Sequence, residues 1–254
     1  MTDIIEILEQ VEVLKQLKED VKYYGSYGKQ WLSNSDIGDL LNDPKSFRQK
    51  GKQTKAMLEG RYFHTAMLEP EKLNEFIVLD MKSRNSRAYK ENVAMNSEDN
   101  QMCLLAHEVE YLNELINTMK GNFEMHSNIY DESNQFEVPM VKNIMGINWK
   151  GKADIVCPDK LIDIKTTSDL SKFKYSASKY NYDSQAYIYQ ELFKRPLEFY
   201  VIDKNTKNLA IIKTSAEFVE RGRDKVERAV DVYNTFFTED APEDINSYIH
   251  YETL

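Results

Sequence analysis

The chain has 254 residues, 41% of them apolar, with 16 Tyr, 11 Phe and a formal net charge of −9 at pH 7. This composition supports a packed core, excludes a disordered chain and offers no 18-residue apolar run for a transmembrane helix; the charge argues against a generic nucleic-acid coat but leaves room for a basic groove on an acidic body. Two cysteines, Cys103 and Cys157, are too few for a four-cysteine zinc or iron–sulfur centre within one chain, and with an acidic start unlike a signal peptide they point to a reducing cytoplasm.

Ile4, Ile5, Leu8, Val11, Leu14, Leu17 and Val21 share one helical stripe over 3–24. Gly25 and Gly28 then break the pattern. "SNSDIGDLLNDP" predicts an N-capped helix starting near Ser33 or Ser35 and ending before Pro44. A second helix runs from 54 to Pro70, and 75–80 reads as a strand. The polar run 81–100 predicts a mobile loop. A helix follows from Gln101 to about Gly121. Strand patterns cover 135–142, 145–157 and 160–166, and "DSQAYIYQELF" is helical. "LEFYVIDK" and "LAIIKTS" read as strands joined by "NTKN". A long helix then opens on a capping box of Thr214 and Glu217, and the acidic tail after Pro242 packs loosely. The order predicts an α/β or α+β domain around one sheet. Residues 1–29 form an N-terminal helix and linker, and 30–254 the main domain.

Charge intrudes on two strands in "WKGKADIVCPDKLIDIKTTSD", Trp149 to Asp169. A turn at Pro158–Asp159 pairs Cys157 with Lys160, Val156 with Leu161 and Ile155 with Ile162. Asp154 then falls opposite Asp163, with side chains about 5 Å apart at Cβ, and Lys165 shares their face. Ile155, Ile162 and Ile164 take the other face, which suits burial. Two carboxylates so placed repel, and a hard divalent cation such as Mg²⁺ or Mn²⁺ relieves this. A bound water can then act as nucleophile, and a lysine can offset charge on a phosphoryl group. The same spacing also fits a solvated sheet face with ordinary ion pairs. Lys165, Lys172, Lys174 and Lys179, interleaved with Tyr175, Tyr180 and Tyr182, make either a phosphate-tracking surface or a plain solvated face. Arg84, Arg87 and Lys90 carry the same two readings.

"Asp154 … Asp163-Ile164-Lys165" resembles the signature of the PD-(D/E)XK nuclease superfamily. "Gly60-Arg-Tyr-Phe-His64" looks like the GxxxH helix motif of its RecB-like branch, "Gln185-Ala-Tyr-Ile-Tyr189" like the QxxxY motif, and "Ile164-Lys165-Thr166-Thr167" fits the K-T-T ending. "LSNSDIGDLLNDPKSF", "TKAMLEGRYFHTAMLEPEKL" and "KADIV…DIKTT" are similar to RecE-type exonucleases (exonuclease VIII), many of them phage-encoded. The resemblance covers roughly residues 30–240. It implies a central mixed β-sheet flanked by helices, with helical N-terminal additions. Asp154, Asp163 and the Ile164 carbonyl are then metal ligands, and His64, as neutral imidazole, completes or supports the site. Lys165 is the catalytic lysine, Gln185 and Tyr189 hold the DNA end or backbone, and Glu137 plays a supporting role.

Two features depart from the family pattern. Asp163 stands where Glu is commoner, and Lys152-Ala153-Asp154 stands where relatives often carry Arg-Pro-Asp. Lys152 is therefore grouped with Lys172, Lys174, Lys179, Arg84 and Arg87 as a DNA contact. The implied activity is a Mg²⁺-dependent exodeoxyribonuclease (Mn²⁺ substituting). It digests one strand of linear duplex DNA, 5′ to 3′, and leaves a 3′ tail for recombination. The implied partners are DNA ends, further copies in a ring and a single-strand annealing protein, in a host cytoplasm if phage-encoded. Two other classes remain open: an endonuclease or single-strand nuclease with the same site, and a non-catalytic DNA-binding or assembly protein.

Overall fold

A computed structural model describes residues 2–49, 51–96 and 101–251. The first predicted helix is divided into α1 (Thr2–Leu17) and α2 (Asp20–Tyr24). The split lets Leu17 and Tyr23 both turn inward, while Leu8, Val11 and Val21 of the predicted stripe stay exposed. α3 (Asn34–Asn42) begins after Ser33, whose amide donates to Asp36 Oδ2 at 2.7 Å. Thr54 caps α4 (Lys55–Leu68), accepting from the Met57 amide at 3.2 Å.

Three expectations change in the next stretch. The strand over 75–80 shrinks to β1 (Val78–Leu79), which pairs in parallel with β2 (Leu104–Leu105). The polar run 81–100 contains a helix, α5 (Arg87–Asn96). Tyr89 and Val93, one turn apart, bury against Cys103 and Leu105, and the Tyr89 hydroxyl bonds both backbone groups of Cys103. Residues 97–100 lie outside the described residues. Because Leu104 and Leu105 join β1, the following helix, α6 (Ala106–Gly121), starts later than predicted. A short α7 (Phe123–Ile129), capped by Asn122, buries Met125 and Ile129 and had no predicted counterpart.

The main sheet follows as β3 (Gln135–Ile144), β4 (Ile147–Val156) and β5 (Leu161–Thr167). Two helices, α8 (Phe173–Lys179) and α9 (Tyr182–Phe193), carry the chain over to β6 (Leu197–Asp203). β7 (Leu209–Lys213) and α10 (Ala216–Phe236) complete the fold. Ser215, not Thr214, caps α10, because the Thr214 hydroxyl donates to the Leu197 carbonyl instead. The strand order is β3-β4-β5-β6-β7. Within this sheet only β5 and β6 pair in parallel, as their helical crossover requires. This is the expected mixed sheet flanked by helices.

Period-two alternation gives the sheet two apolar faces. Trp149, Ala153, Leu161, Phe199 and Val201 pack with Ile37 of α3, Ala186 and Ile188 of α9 and Val226 of α10. Ile155, Ile162, Ile164, Tyr200 and Ile202 pack with Phe63 of α4, Leu112 and Leu115 of α6 and Met125 of α7. In β4 the alternation breaks at Asp154, since Ala153 and Val156 join the first core and Ile155 the second. Across from it in β3, Glu137 takes a left-handed φ of 48°. Such strain in a non-glycine residue persists only where its surroundings impose it.

Glycine sets how closely α9 can approach. A Cβ on Gly151 would lie 2.6 Å from Leu192 Cδ1 and 2.9 Å from Tyr189 Cε1, and one on Gly222 of α10 would meet the Asp183 backbone. A Cβ on Gly60 of α4 meets nothing within 4 Å. Gly222→Ala should therefore cost about 1–3 kcal/mol, as overpacking does, whereas Gly60→Ala should add about 0.5–1 kcal/mol of helix stability. Urea midpoints of the two variants should fall on opposite sides of the parent. The reverse order would contradict this packing.

Candidate active site

The predicted hairpin register holds at its base. Cys157 N donates to the Lys160 carbonyl at 2.9 Å, Val156 pairs with Leu161 and Ile155 with Ile162. It does not continue to Asp154 and Asp163. β5 stays bonded to β6 through Thr167↔Asp203, so it follows β6 and parts from β4. The Ile164 amide then donates to Asp154 Oδ2 at 2.9 Å. The two aspartates thus face a wedge between diverging strands instead of forming a ladder pair.

A helix supports each side of the wedge. From α4, His64 Nδ1 lies 3.2 Å from Asp154 Oδ2. From α9, Gln185 Nε2 donates to Asp163 Oδ1, and one turn on, the Tyr189 hydroxyl donates to the Lys152 carbonyl at 2.8 Å. Gln185 and Tyr189 therefore tie α9 to β5 and β4 through the Gln185 amide nitrogen and the Tyr189 hydroxyl. Lys165 Nζ lies 2.5 Å from Asp163 Oδ2 and 4.9 Å from the Tyr182 ring centroid. Asp163 Oδ2 is buried, and the Lys165 ammonium is its partner there.

Burial opposes charge throughout this cluster, and neighbours decide the outcome. Asp154 is held below the usual carboxylate range despite burial, by His64, Lys165 and the Ile164 amide. Burial, with Asp154 nearby, raises Asp163 even though Lys165 pulls the other way. Glu137 is pushed up to about 8 by burial and the Asp154 charge. Burial would lower His64, but Asp154 and Asp163 outweigh it and raise the imidazole. The pairing with Asp154 is what favours the protonated form of His64. Burial likewise works against Lys165, and Asp163 and Asp154 raise it.

The other predicted contacts divide. Lys152 is buried, with Nζ 2.6 Å from Asp20 Oδ1 and 4.7 Å from the Tyr23 ring. Arg84 is bound to Glu108 and the Cys103 carbonyl, so it holds the α5–α6 region together and does not reach the wedge. Arg87 is exposed and pairs with Glu91 on its own helix. Lys172 pairs with Asp169 at 3.0 Å. Lys174 and Lys179 lie beside Tyr175 and Tyr180 on α8, and both tyrosines are exposed.

Two cavities meet at the wedge and share Tyr24, Lys152, Lys165, Gln185 and Tyr189. One, of about 690 Å³, holds His64, Glu137, Asp154 and Asp163. The other, of about 750 Å³, gathers Lys29, Arg48 and Lys150 with Tyr23, Trp31 and Tyr182, and Asp36 and Asp39 also line it, Asp36 lying 3.7 Å from Arg48. Lys150 is buried, lies 4.1 Å from the Tyr23 ring and donates to the Tyr23 carbonyl. Burial lowers its amine to about 8. Lys150 was missed in the sequence, although "WKGKAD" places it two residues from Lys152 and so on the same strand face. Lys29, Arg48 and Tyr24 carry no such local signal.

Among the described residues, no three His, Cys, Asp or Glu side chains converge on one point. A cage of that kind is not required for Mg²⁺, which keeps several waters and takes one or two carboxylates. Hard oxygen donors on Asp154 and Asp163, with Asp163 buried and balanced at present by the Lys165 ammonium, fit such an ion. The Ile164 carbonyl follows directly in the chain.

No curated protein matches the chain. The crystal structure of a candidate exonuclease from Eubacterium rectale superposes with a TM-score of 0.62, at 16% identity, over 93% of this chain and 95% of its own. At that identity the likeness shows the fold alone. The structure of SSO0001 overlaps 76% of this chain and 84% of its own at 16% identity, but its TM-score of 0.29 carries no weight. A family model, the PDDEXK-like domain of unknown function DUF3799, matches residues 39–245, from α3 to the tail and across the whole wedge. The chain belongs to this PDDEXK-like family.

Proposed function

We propose that the chain is a divalent-metal-dependent nuclease that digests one strand of linear duplex DNA from an end. The observation that carries this reading is the wedge itself: a buried Asp163 with half-buried Asp154 and Lys165, beside a cavity in which lysines and an arginine outnumber the aspartates, in a chain of net charge −9. Lys29 and Lys150, with Arg48 beside its partner Asp36, offer a path for phosphates up to Lys165, which an acidic body needs if it is to hold DNA. The exonuclease description of the Eubacterium rectale protein and the RecE-type motifs support the end requirement. The 5′ to 3′ polarity and the delivery of a 3′ tail to an annealing protein rest on the motifs alone.

Hydrolysis here adds water to phosphorus and breaks the bond to the leaving oxygen, which takes up a proton. A Mg²⁺ ion held by Asp154, Asp163 and the Ile164 carbonyl would acidify that water. Lys165 places positive charge where the phosphoryl oxygens gain negative charge. His64 fixes Asp154, Gln185 fixes Asp163, and Tyr189 fixes the β4 backbone. These three residues position the reacting groups without reacting themselves.

Linear, nicked and covalently closed duplex of one sequence separate the possible activities. Linear DNA should be degraded to nucleotides plus a single strand when Mg²⁺ is present, closed circles should survive, and chelator should stop the reaction. Lys165→Ala should slow it by roughly 10²–10³-fold, as loss of a transition-state charge partner does. Closed circles cut as fast as linear DNA would make the protein an endonuclease, and undiminished cleavage by Lys165→Ala would remove the lysine from the chemistry.

The half-buried acid Glu137 gives a second test, on metal-free protein. Its carboxyl titrates at an ordinary 4.5 when unfolded and at about 8 when folded. Between these values the folded state keeps a proton that the unfolded chain releases, so stability falls as pH rises. His64 is also raised and acts in the same direction, whereas the contribution of the lowered Asp154 is lost only on acidification below this window. Glu137→Gln should flatten the decline in melting temperature across this range. Parallel slopes for the variant and its parent would contradict the assigned shift.

A further inference from the structure

Lys152 belongs to β4, a strand with neighbours on both sides, and its side chain is only 4% exposed. An ammonium buried there is costly unless an anion accompanies it. The anion comes from 132 residues away in the chain. Asp20, the first residue of α2, sets Oδ1 2.6 Å from Lys152 Nζ and Oδ2 3.1 Å from Lys72 Nζ. Lys72 lies in the turn of Pro70–Glu75 that follows α4, and its Nζ is also 2.5 Å from Glu69 Oε1. Asp20, Glu69, Lys72 and Lys152 line the same cavity of about 690 Å³ as His64, Asp154 and Asp163. One carboxylate thus spans two ammonium groups inside the space that a substrate of the wedge would enter.

The two sides of this bridge are not equally fixed. Lys152 is held by its strand, with its ammonium 4.7 Å from the Tyr23 ring and 5.8 Å from the Tyr24 ring. The Asp20 side chain is 45% exposed, on a helix of five residues. α2 stays docked by other means, because Tyr23 is buried and Lys150 donates to its carbonyl. The Asp20 carboxylate can therefore turn to solvent without undocking the helix. A phosphodiester matches what it would leave behind. It carries one negative charge on two free oxygens, and lysine bonds phosphate as it bonds carboxylate. Glu19, the preceding residue, has the same charge but lines neither cavity of the wedge and pairs with Lys22 at 2.9 Å on the surface.

We propose that Lys72 and Lys152 form a subsite for a DNA backbone phosphate beside Asp154 and Asp163, and that the Asp20 carboxylate occupies this subsite until DNA displaces it. The proposal rests on the nuclease reading and adds a regulation of the same site. One anion replaces another, so the buried Lys152 ammonium keeps a partner throughout the exchange. Asp20 is then a competitor of the substrate, and its charge weakens DNA binding. Lys72 keeps Glu69 when Asp20 leaves, whereas Lys152 passes directly from carboxylate to phosphate.

Fluorescence anisotropy of a short labelled linear duplex reads this competition on the full chain, in Ca²⁺, whose looser coordination serves hydrolysis poorly. Asp20→Asn should tighten binding by roughly three- to tenfold, the range of a half-exposed ion pair. Glu19→Gln removes the same charge one residue away and should change binding by less than about twofold. Lys72→Met should weaken binding and lower the slope of log affinity against log salt by about 1. Melting curves check that the variants are folded. Should Asp20→Asn fail that check for want of a counter-ion at Lys152, Lys72→Met alone decides. Equal tightening by Asp20→Asn and Glu19→Gln would reduce the effect to net charge and overturn the proposal, as would an unchanged salt slope in Lys72→Met. A parent that binds no duplex would fell the nuclease reading and this subsite together. A parent that binds duplex as firmly as Asp20→Asn does would remove the subsite alone.

Discussion

Beyond Ile155 and Ile162 the β4 and β5 backbones no longer bond to each other, and the Ile164 amide turns to the Asp154 side chain. A buried amide needs an acceptor. Here it finds a carboxylate, so the gap between the strands is satisfied on one edge and remains open for chemistry. Everything at the wedge depends on that exchange. It brings Asp154 to Asp163 without placing them in a ladder, and it leaves room between them for a ligand. The parallel pairing of β5 with β6 maintains the divergence, and the left-handed Glu137 accommodates it on the β3 side.

The wedge holds charge that the interior resists. Two helices make this tolerable by delivering one polar side chain each: His64 from α4 and Gln185 from α9. α9 can reach the sheet because Gly151 has no side chain, and it is held from behind by Gly222 and by Lys225, whose Nζ lies 2.9 Å from Asp183. Burial leaves Glu137 and Asp163 inclined to keep protons. A divalent cation reverses that inclination, because it is the largest local charge wherever it binds. Metal binding and proton release should therefore be linked.

Much of this was legible locally. Period-two alternation in "ADIV" and "LIDIK" placed Ile155, Ile162 and Ile164 in the core, and Asp163 and Lys165 on the other face of β5. The motifs of the resemblance singled out His64, Gln185 and Tyr189, and the helices that carry them were read from the sequence. Partners that are distant in sequence were not legible. Lys152 and Arg84 look like free cations in the chain, yet Asp20 and Glu108 occupy them. The ladder's early end depends on β6, which a two-strand argument does not include. α5, α7 and α8 are short, and tertiary burial of residues such as Tyr89, Met125 and Phe173 stabilises them more than their own periodicity does. The basic cavity unites Lys29, Arg48 and Lys150 from three separate segments, and no window of sequence contains them together.

The central claim is that the oxygens of Asp154 and Asp163 hold a divalent cation, which displaces the protons that Asp163 and Glu137 are inclined to keep. Calorimetric titration of the full chain with Mn²⁺, in two neutral buffers of different ionisation enthalpy, measures both halves of it. The account predicts binding to the parent with net proton release, and loss of binding in Asp163→Asn while the melting curve remains that of a folded protein. Equal affinity in the parent and in Asp163→Asn, or binding with no proton released, would contradict it.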